Sequence, residues 1–180
     1  QVGGVLAPLD ARGHADVLDV SLNYPFIRQR SHNLFGRVVL ESKRLKDEYR
    51  AVGVDIGKRV DALGLGWSWE RRDDWLGGGY FASSGTLYHG RLRIHDAALR
   101  AADQGPGGLN TSGGFSRLTL QVSRLQALTS RHSLYWSAGG QWASKNLDAS
   151  EKLALGGANA VRAYPVSEAL VDQGWIQTLE

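Results

Sequence analysis

The stretch from Asp16 to Phe26 reads DVLDVSLNYPF, and in it Leu18, Val20, Leu22, Tyr24 and Phe26 alternate with Asp19, Ser21, Asn23 and Pro25. A period of two over that length puts the apolar residues on one face of an extended strand and the polar ones on the other. The pattern returns from Asn33 to Leu45, with Leu34, Val38 and Leu40 against Arg37, Glu41 and Lys43. It returns again from Lys58 to Arg71, where Leu63, Leu65, Trp67 and Trp69 oppose Ala62, Gly64, Gly66, Ser68 and Glu70. From Tyr80 to Ile94 the apolar or amphipathic side carries Tyr80, Ala82, Thr86, Tyr88, Leu92 and Ile94, and the polar side Ser83, Gly85, His89, Arg91 and Arg93, with Phe81 and Leu87 out of phase. Ser116 to Val122 sets Leu118, Leu120 and Val122 against Arg117, Thr119 and Gln121; Leu134 to Lys145 sets Leu134, Trp136, Ala138 and Trp142 against Ser137, Gly139, Gln141 and Lys145. A seventh strand begins near Gly174 and is cut at Glu180.

Strands in soluble proteins cluster near 5–6 residues, whereas these runs are about 11 to 15 long, the length needed to cross a hydrocarbon layer at a tilt. Their second face carries glycine, hydroxyl, amide and charged side chains, which a water-filled lumen accepts and a packed core does not. The connections alternate as well. Arg28 to His32, Arg72 to Gly78 and Thr129 to Arg131 are short, while Lys46 to Gly57, His95 to Gly114 and Leu147 to Asp172 are long. Short turns at one edge and long loops at the other are the layout of a bacterial outer-membrane barrel, with the turns periplasmic. The predicted fold class is therefore all-β, a transmembrane antiparallel up-and-down β-barrel. Arg91, Arg93, Arg117, Gln121, Gln141 and Lys145 are expected to face its lumen, and Tyr24, Trp69 and Trp75 to sit in an aromatic girdle near the periplasmic interface. A soluble β-sandwich or lipocalin-like barrel shows similar alternation but shorter strands.

Composition bounds the function. The chain has 180 residues, enough for one domain, and its charge is 21 − 18 = +3 with no basic block, which gives no support to nucleic-acid binding. It has no cysteine, which excludes disulfides and thiolate chemistry and suits passage through an oxidising periplasm. No stretch approaches 18 consecutive apolar residues, so a helical membrane span is excluded, but a β-barrel span is not. Without an initiator methionine the sequence reads as a processed product or, preferably, as a piece cut from a longer protein.

No nucleophile elbow, P-loop, dinucleotide fingerprint or zinc motif is present, and no catalytic residue, cofactor or metal is expected. His14, His32, His89, His95 and His132 have no ligand spacing on one element. Asp148, Ser150 and Glu151 read as a solvated loop, and Gly77, Gly78 and Gly79 as a tight turn needing positive φ.

The last long loop is the most distinctive text: Asn146-Leu147-Asp148, Ser150-Glu151-Lys152, Leu155-Gly156-Gly157, Val161-Arg162-Ala163-Tyr164-Pro165, Glu168 and Asp172-Gln173-Gly174. It resembles the ShlB/FhaC/HecB family of hemolysin secretion/activation proteins, the outer-membrane transporters of two-partner secretion. Tyr24-Pro25-Phe26-Ile27-Arg28-Gln29-Arg30 with Asn33-Leu34, and Ser123-Arg124-Leu125-Gln126-Ala127-Leu128, are similar to the same family's upstream segments. The resemblance implies a partial sixteen-stranded barrel over residues 1–180, with POTRA domains and closing strands outside them. It also implies that the loop 147–172 folds back into the pore, with Val161, Arg162, Ala163 and Tyr164 as its tip and Asn146, Asp148, Glu151, Gly156, Gly157, Glu168, Asp172 and Gly174 as its support. Arg162 would meet an aspartate on a later strand, with Glu180 a local substitute. Ala163 stands where many members have glycine, and Val171 where Gly-Asp-x-Gly usually begins. The implied function is export of a hemolysin- or adhesin-type exoprotein, taken unfolded from the periplasm, across the outer membrane of a Gram-negative cell, with that exoprotein and outer-membrane lipid as partners. The alternatives are an outer-membrane protein insertase of the same superfamily, a passive porin, or a soluble β-barrel binding module.

Overall fold

A computed structural model describes residues 11–49, 51, 53–155 and 169–180. Its strands are β1 (Ala11–Arg28), β2 (His32–Tyr49), β3 (Val54–Asp73), β4 (Gly79–Ile94), β5 (Gly113–Ala127), β6 (Ser133–Ala143), β7 (Leu153–Ala154), β8 (Leu170–Val171) and β9 (Gly174–Leu179), with one helix, α1 (Ala97–Gln104), between β4 and β5. Seven of them form one sheet in the order β1-β2-β3-β4-β5-β6-β9, every neighbour antiparallel, and β7 pairs with β8 separately. Nearest-neighbour order with strands of up to 20 residues is a section of an up-and-down β-barrel wall. No helix among the described residues is long and apolar enough to cross a membrane.

The register sorts each strand into two faces. We call inner the face against which residues 147–154 and 171–172 lie. On the opposite, outer face Leu22, Val38, Leu65 and Leu87 share one rung and Val20, Leu40, Leu63 and His89 the next. Leu18, Val20, Leu22, Tyr24 and Phe26 are all exposed there and cover ~26 Å of β1 at 3.3 Å per residue, the height of a lipid-facing band. Tyr24 packs edge-on against Phe26, and Trp69 against Phe81, at the short-turn end; Trp142 and Trp175 are exposed on the outer face at the loop end. Gly85 lies under the Trp67 ring, where a Cβ would come within 2.3 Å of it.

The strands run further than the alternation does. The expected loop from Lys46 to Gly57 is mostly ladder, since β2 and β3 stay paired from Lys46↔Gly57 to Tyr49↔Val54. Lys46, Asp47 and Glu48 are charged in succession because this part of the hairpin meets neither lipid nor core, so its backbone pairs without a two-sided pattern. The loop from His95 to Gly114 contains α1, capped by the Asp96 carboxylate, which accepts from the Leu99 amide at 2.8 Å. Ala97, Ala98, Ala101 and Ala102 supply the helix propensity.

Two further features follow from the faces. The one closely packed apolar cluster among the described residues is on the inner face at the loop end, where Val60, Leu92 and Phe115 enclose Leu147 beside Leu45 and Ala143. At the other end the turn 74–78 uses positive φ at Leu76 (49°), Gly77 (96°) and Gly78 (98°); Gly79 continues into β4. Gln126 Nε2 donates to the carbonyls of Trp75 and Gly78 at 2.8 and 3.0 Å, and Arg124 forks onto Asp73 with two bonds of 2.9 Å.

Candidate functional site

Where residues 147–155 leave the sheet and 169–174 return to it, the structure builds a closed neck on the inner face. Asp172 Oδ1 accepts from the Leu147 amide at 2.7 Å, the Leu155 amide donates to the Ala169 carbonyl at 2.9 Å, and β7 pairs with β8. The loop therefore departs and returns at one place. Gln141, at 3% exposure on β6, donates through Nε2 to the Glu151 carbonyl at 3.0 Å and the Asp172 carbonyl at 3.1 Å, so one wall side chain holds both limbs.

Charge fixes the outgoing limb. Asp148 caps the short helical turn Ala149–Glu151, accepting from the Ser150 amide at 3.1 Å, and its other oxygen takes a 2.8 Å bond from Lys58 of β3. The Glu151 side chain is 1% exposed and receives Lys43 Nζ of β2 at 2.7 Å and Arg117 Nε of β5 at 2.9 Å. Arg117 is itself sandwiched, its guanidinium 4.1 Å above the Tyr88 ring. Glu41 Oε1 stands 3.0 Å from the same lysine without hydrogen-bond geometry. A buried carboxylate with two charge-assisted partners is tolerated, and one with none is not. Burial pushes the Asp148 carboxyl up, but Lys58 and the Ser150 amide outweigh it and hold the group below the ordinary carboxylate range.

Of the residues singled out in the sequence, Asp148, Glu151, Asp172 and Gln141 meet at this neck, joined by Arg117, and Gly174 lies opposite Gln141 in the ladder. Asn146 Nδ2 donates to the Leu109 carbonyl and Lys145 Nζ to the Ser112 carbonyl, tying the neck to the α1 loop instead of facing open lumen. Gln121 lies on the inner face at the groove described below. Gly156, Gly157, Val161, Arg162, Ala163, Tyr164 and Glu168 lie outside the described residues. Arg91 and Arg93 are a correction. They lie on the outer face, in register with Asp61 and Arg59. The inner side of β4 is the more apolar one at this height, where Leu92 belongs to the Leu147 cluster and Ile94 is buried, so reading polar as inward inverts the strand.

Lys43, Lys58 and Leu147 are the residues that reading by strand missed. A trace was present: two inward-phase lysines at the loop ends of neighbouring strands, and two carboxylates three residues apart in the loop. Below the neck the inner face forms a groove of about 720 Å³, lined among others by Arg37, Ser68, Thr86, Thr119, Gln121, Ser137 and Thr178.

A family model described as haemolysin secretion/activation protein ShlB/FhaC/HecB matches residues 1–179. The chain is 28% identical over 176 residues to the heme/hemopexin transporter protein HuxB of Haemophilus influenzae strain 86-028NP, and equally to HuxB of the Rd strain. The match covers 97% of the chain and 30% of each relative, so the chain spans under a third of their length. No solved structure matches the chain.

Proposed function

The chain belongs to the ShlB/FhaC/HecB family of haemolysin secretion/activation proteins, and from that premise we propose that the protein carrying it takes an unfolded exoprotein from the periplasm and passes it outward through its barrel, by the two-partner route. The observation that carries this reading is the closed neck: an excursion that leaves and re-enters the sheet at one inner-face point, held by Gln141 and by Glu151 between Lys43 and Arg117. Such an anchor lets residues 156–168 act inside the pore while the root stays fixed, with Val161–Tyr164 as the tip that occupies the path. The hydroxyl and amide side chains in the lining of the groove support passage, since they offer an extended chain hydrogen-bond partners beside the apolar Phe35, Leu153 and Ile176. No bond is made or broken. The drive is folding of the client once outside.

The relatives' name points to a client concerned with haem or haemopexin rather than a haemolysin or adhesin. The test is Arg162→Ala in the intact protein, with secreted client and barrel abundance measured together. Secretion is expected to fall while abundance holds; wild-type secretion would overturn the role of the tip.

A further inference from the structure

Four arginines gather on the outer face immediately above the apolar band, at the loop end. Across β2, β3 and β4 the outer-face rungs read Val38–Leu65–Leu87, Leu40–Leu63–His89, Ser42–Asp61–Arg91 and Arg44–Arg59–Arg93. Two two-residue steps, about 14 Å along the strands, thus change the surface from aliphatic through Ser42–Asp61–Arg91 to basic. Asp61 organises the cluster. It accepts from Ser42 Oγ at 2.8 Å, Arg59 Nε at 2.9 Å and Arg93 Nη1 at 3.1 Å. Arg44 and Arg91 are exposed and hold no carboxylate among the described residues. The other acid facing the patch is Asp16 of β1, in register with Arg44 and bonded to His14 Nε2 at 3.1 Å. Four guanidinium groups against two carboxylates leave 4 − 2 = +2.

We propose that this patch binds the phosphate groups of anionic lipid in the leaflet at the loop end, which on the outer-membrane reading is the external leaflet; the proposal rests on that reading. The continuity of the patch with the lipid-facing band selects the occupant. A lipid whose acyl chains lie along Leu40, Leu63 and Leu65 carries its headgroup to the height of Arg44 and Arg91. A guanidinium fork matches phosphate oxygens bidentately, and with Asp61 already engaged the free forks need an external anion. Charge facing hydrocarbon would be costly, and charge at headgroup height is not.

The test uses the intact protein with Arg44→Gln and Arg91→Gln combined, since neither side chain holds an ion pair. Phosphatidylcholine vesicles with and without lipid A are the probes, and lipid retained through detergent purification is weighed by native mass spectrometry. Each lost charge near an anionic surface weakens binding about fivefold, so the double variant should bind lipid A vesicles about 25-fold more weakly, retain less of it, and bind the neutral vesicles as before. The Arg44→Lys, Arg91→Lys variant, which keeps charge but not the fork, should fall between. Wild-type affinity in the double Gln variant overturns the headgroup site while outer-membrane fractionation stands. Recovery of the intact protein in the soluble fraction overturns the membrane reading and the site with it.

Discussion

Glu151 is the side chain on which the neck turns, because it is the most enclosed charge in the network and has cations on two separate strands. Removing it leaves Arg117 part-buried without a carboxylate and Lys43 with Glu41 alone, which costs about 3–5 kcal/mol. Glu151→Ala is therefore expected to free residues 147–155 for cleavage by added protease in detergent-solubilised intact protein while the strands stay resistant; unchanged cleavage would show that the ion pairs do not hold the neck. Asp148 makes the neck pH-dependent. Its folded pKa lies below its unfolded value, so the unfolded neck binds more protons, and the stability it lends is complete above about pH 4 and lost as pH falls through the folded value. The difference in protease resistance between wild type and Asp148→Asn should accordingly shrink on acidification through that window, and a constant difference would contradict the linkage. Asp148, Glu151 and Asp172 entered as loop support only through the family resemblance; read by themselves Asp148 and Glu151 are expected in a solvated loop, and the structure corrects this by burying both against wall cations. Their partners Lys43 and Lys58 were not legible in the sequence, because the pairs join residues 108 and 90 positions apart and only the register of β2 and β3 brings them to the loop.

At the scale of elements, alternation found every long strand but not always its direction. In β1, β2, β3, β5 and β6 the apolar side of the alternation is the outer face, away from the neck. In β4 the inner side meets Leu147 and Phe115 as well as solvent, and the outer side rises through Arg91 and Arg93, so hydrophobicity points inward at the loop end; Leu87 and Phe81, out of phase in the sequence, were the true outward residues. α1 escaped because an eight-residue helix inside a loop shows no period-two signal, although Asp96 before an alanine-rich run is its mark. The turn 74–78 was legible from Gly77 and Gly78, whereas its support by β5 was not. Gln126→Ala removes one of two donors from the carbonyls of Trp75 and Gly78, which keep the Gly78 and Ala127 amides, and should lower the intact protein's stability by about 0.5–1.5 kcal/mol, read as a lower urea midpoint in detergent. A midpoint equal to wild type would mean water replaces the amide without loss.

For the described residues as a whole, the decisive property is one seven-stranded sheet with an apolar exposed outer face and a partnerless edge at each side. The band from Leu18 to Phe26 and its neighbours on β2 and β3 is exposed, and no described strand pairs with the free edge of β1 or of β9. A free edge in lipid leaves each unpaired N–H and C=O costing several kcal/mol, and in water it templates further strands. Residues 1–180 produced alone should consequently form aggregates or strand-exchanged assemblies in detergent as well as in buffer, with the neck contacts retained inside them because Lys43, Lys58, Arg117, Gln141 and Glu151 all belong to this one sheet and its loop. Light scattering coupled to size exclusion checks the first half of that expectation, and protease protection of residues 147–155 within the assembly checks the second. A monodisperse monomer with a single cooperative transition would show that the edges are closed by something other than strand pairing.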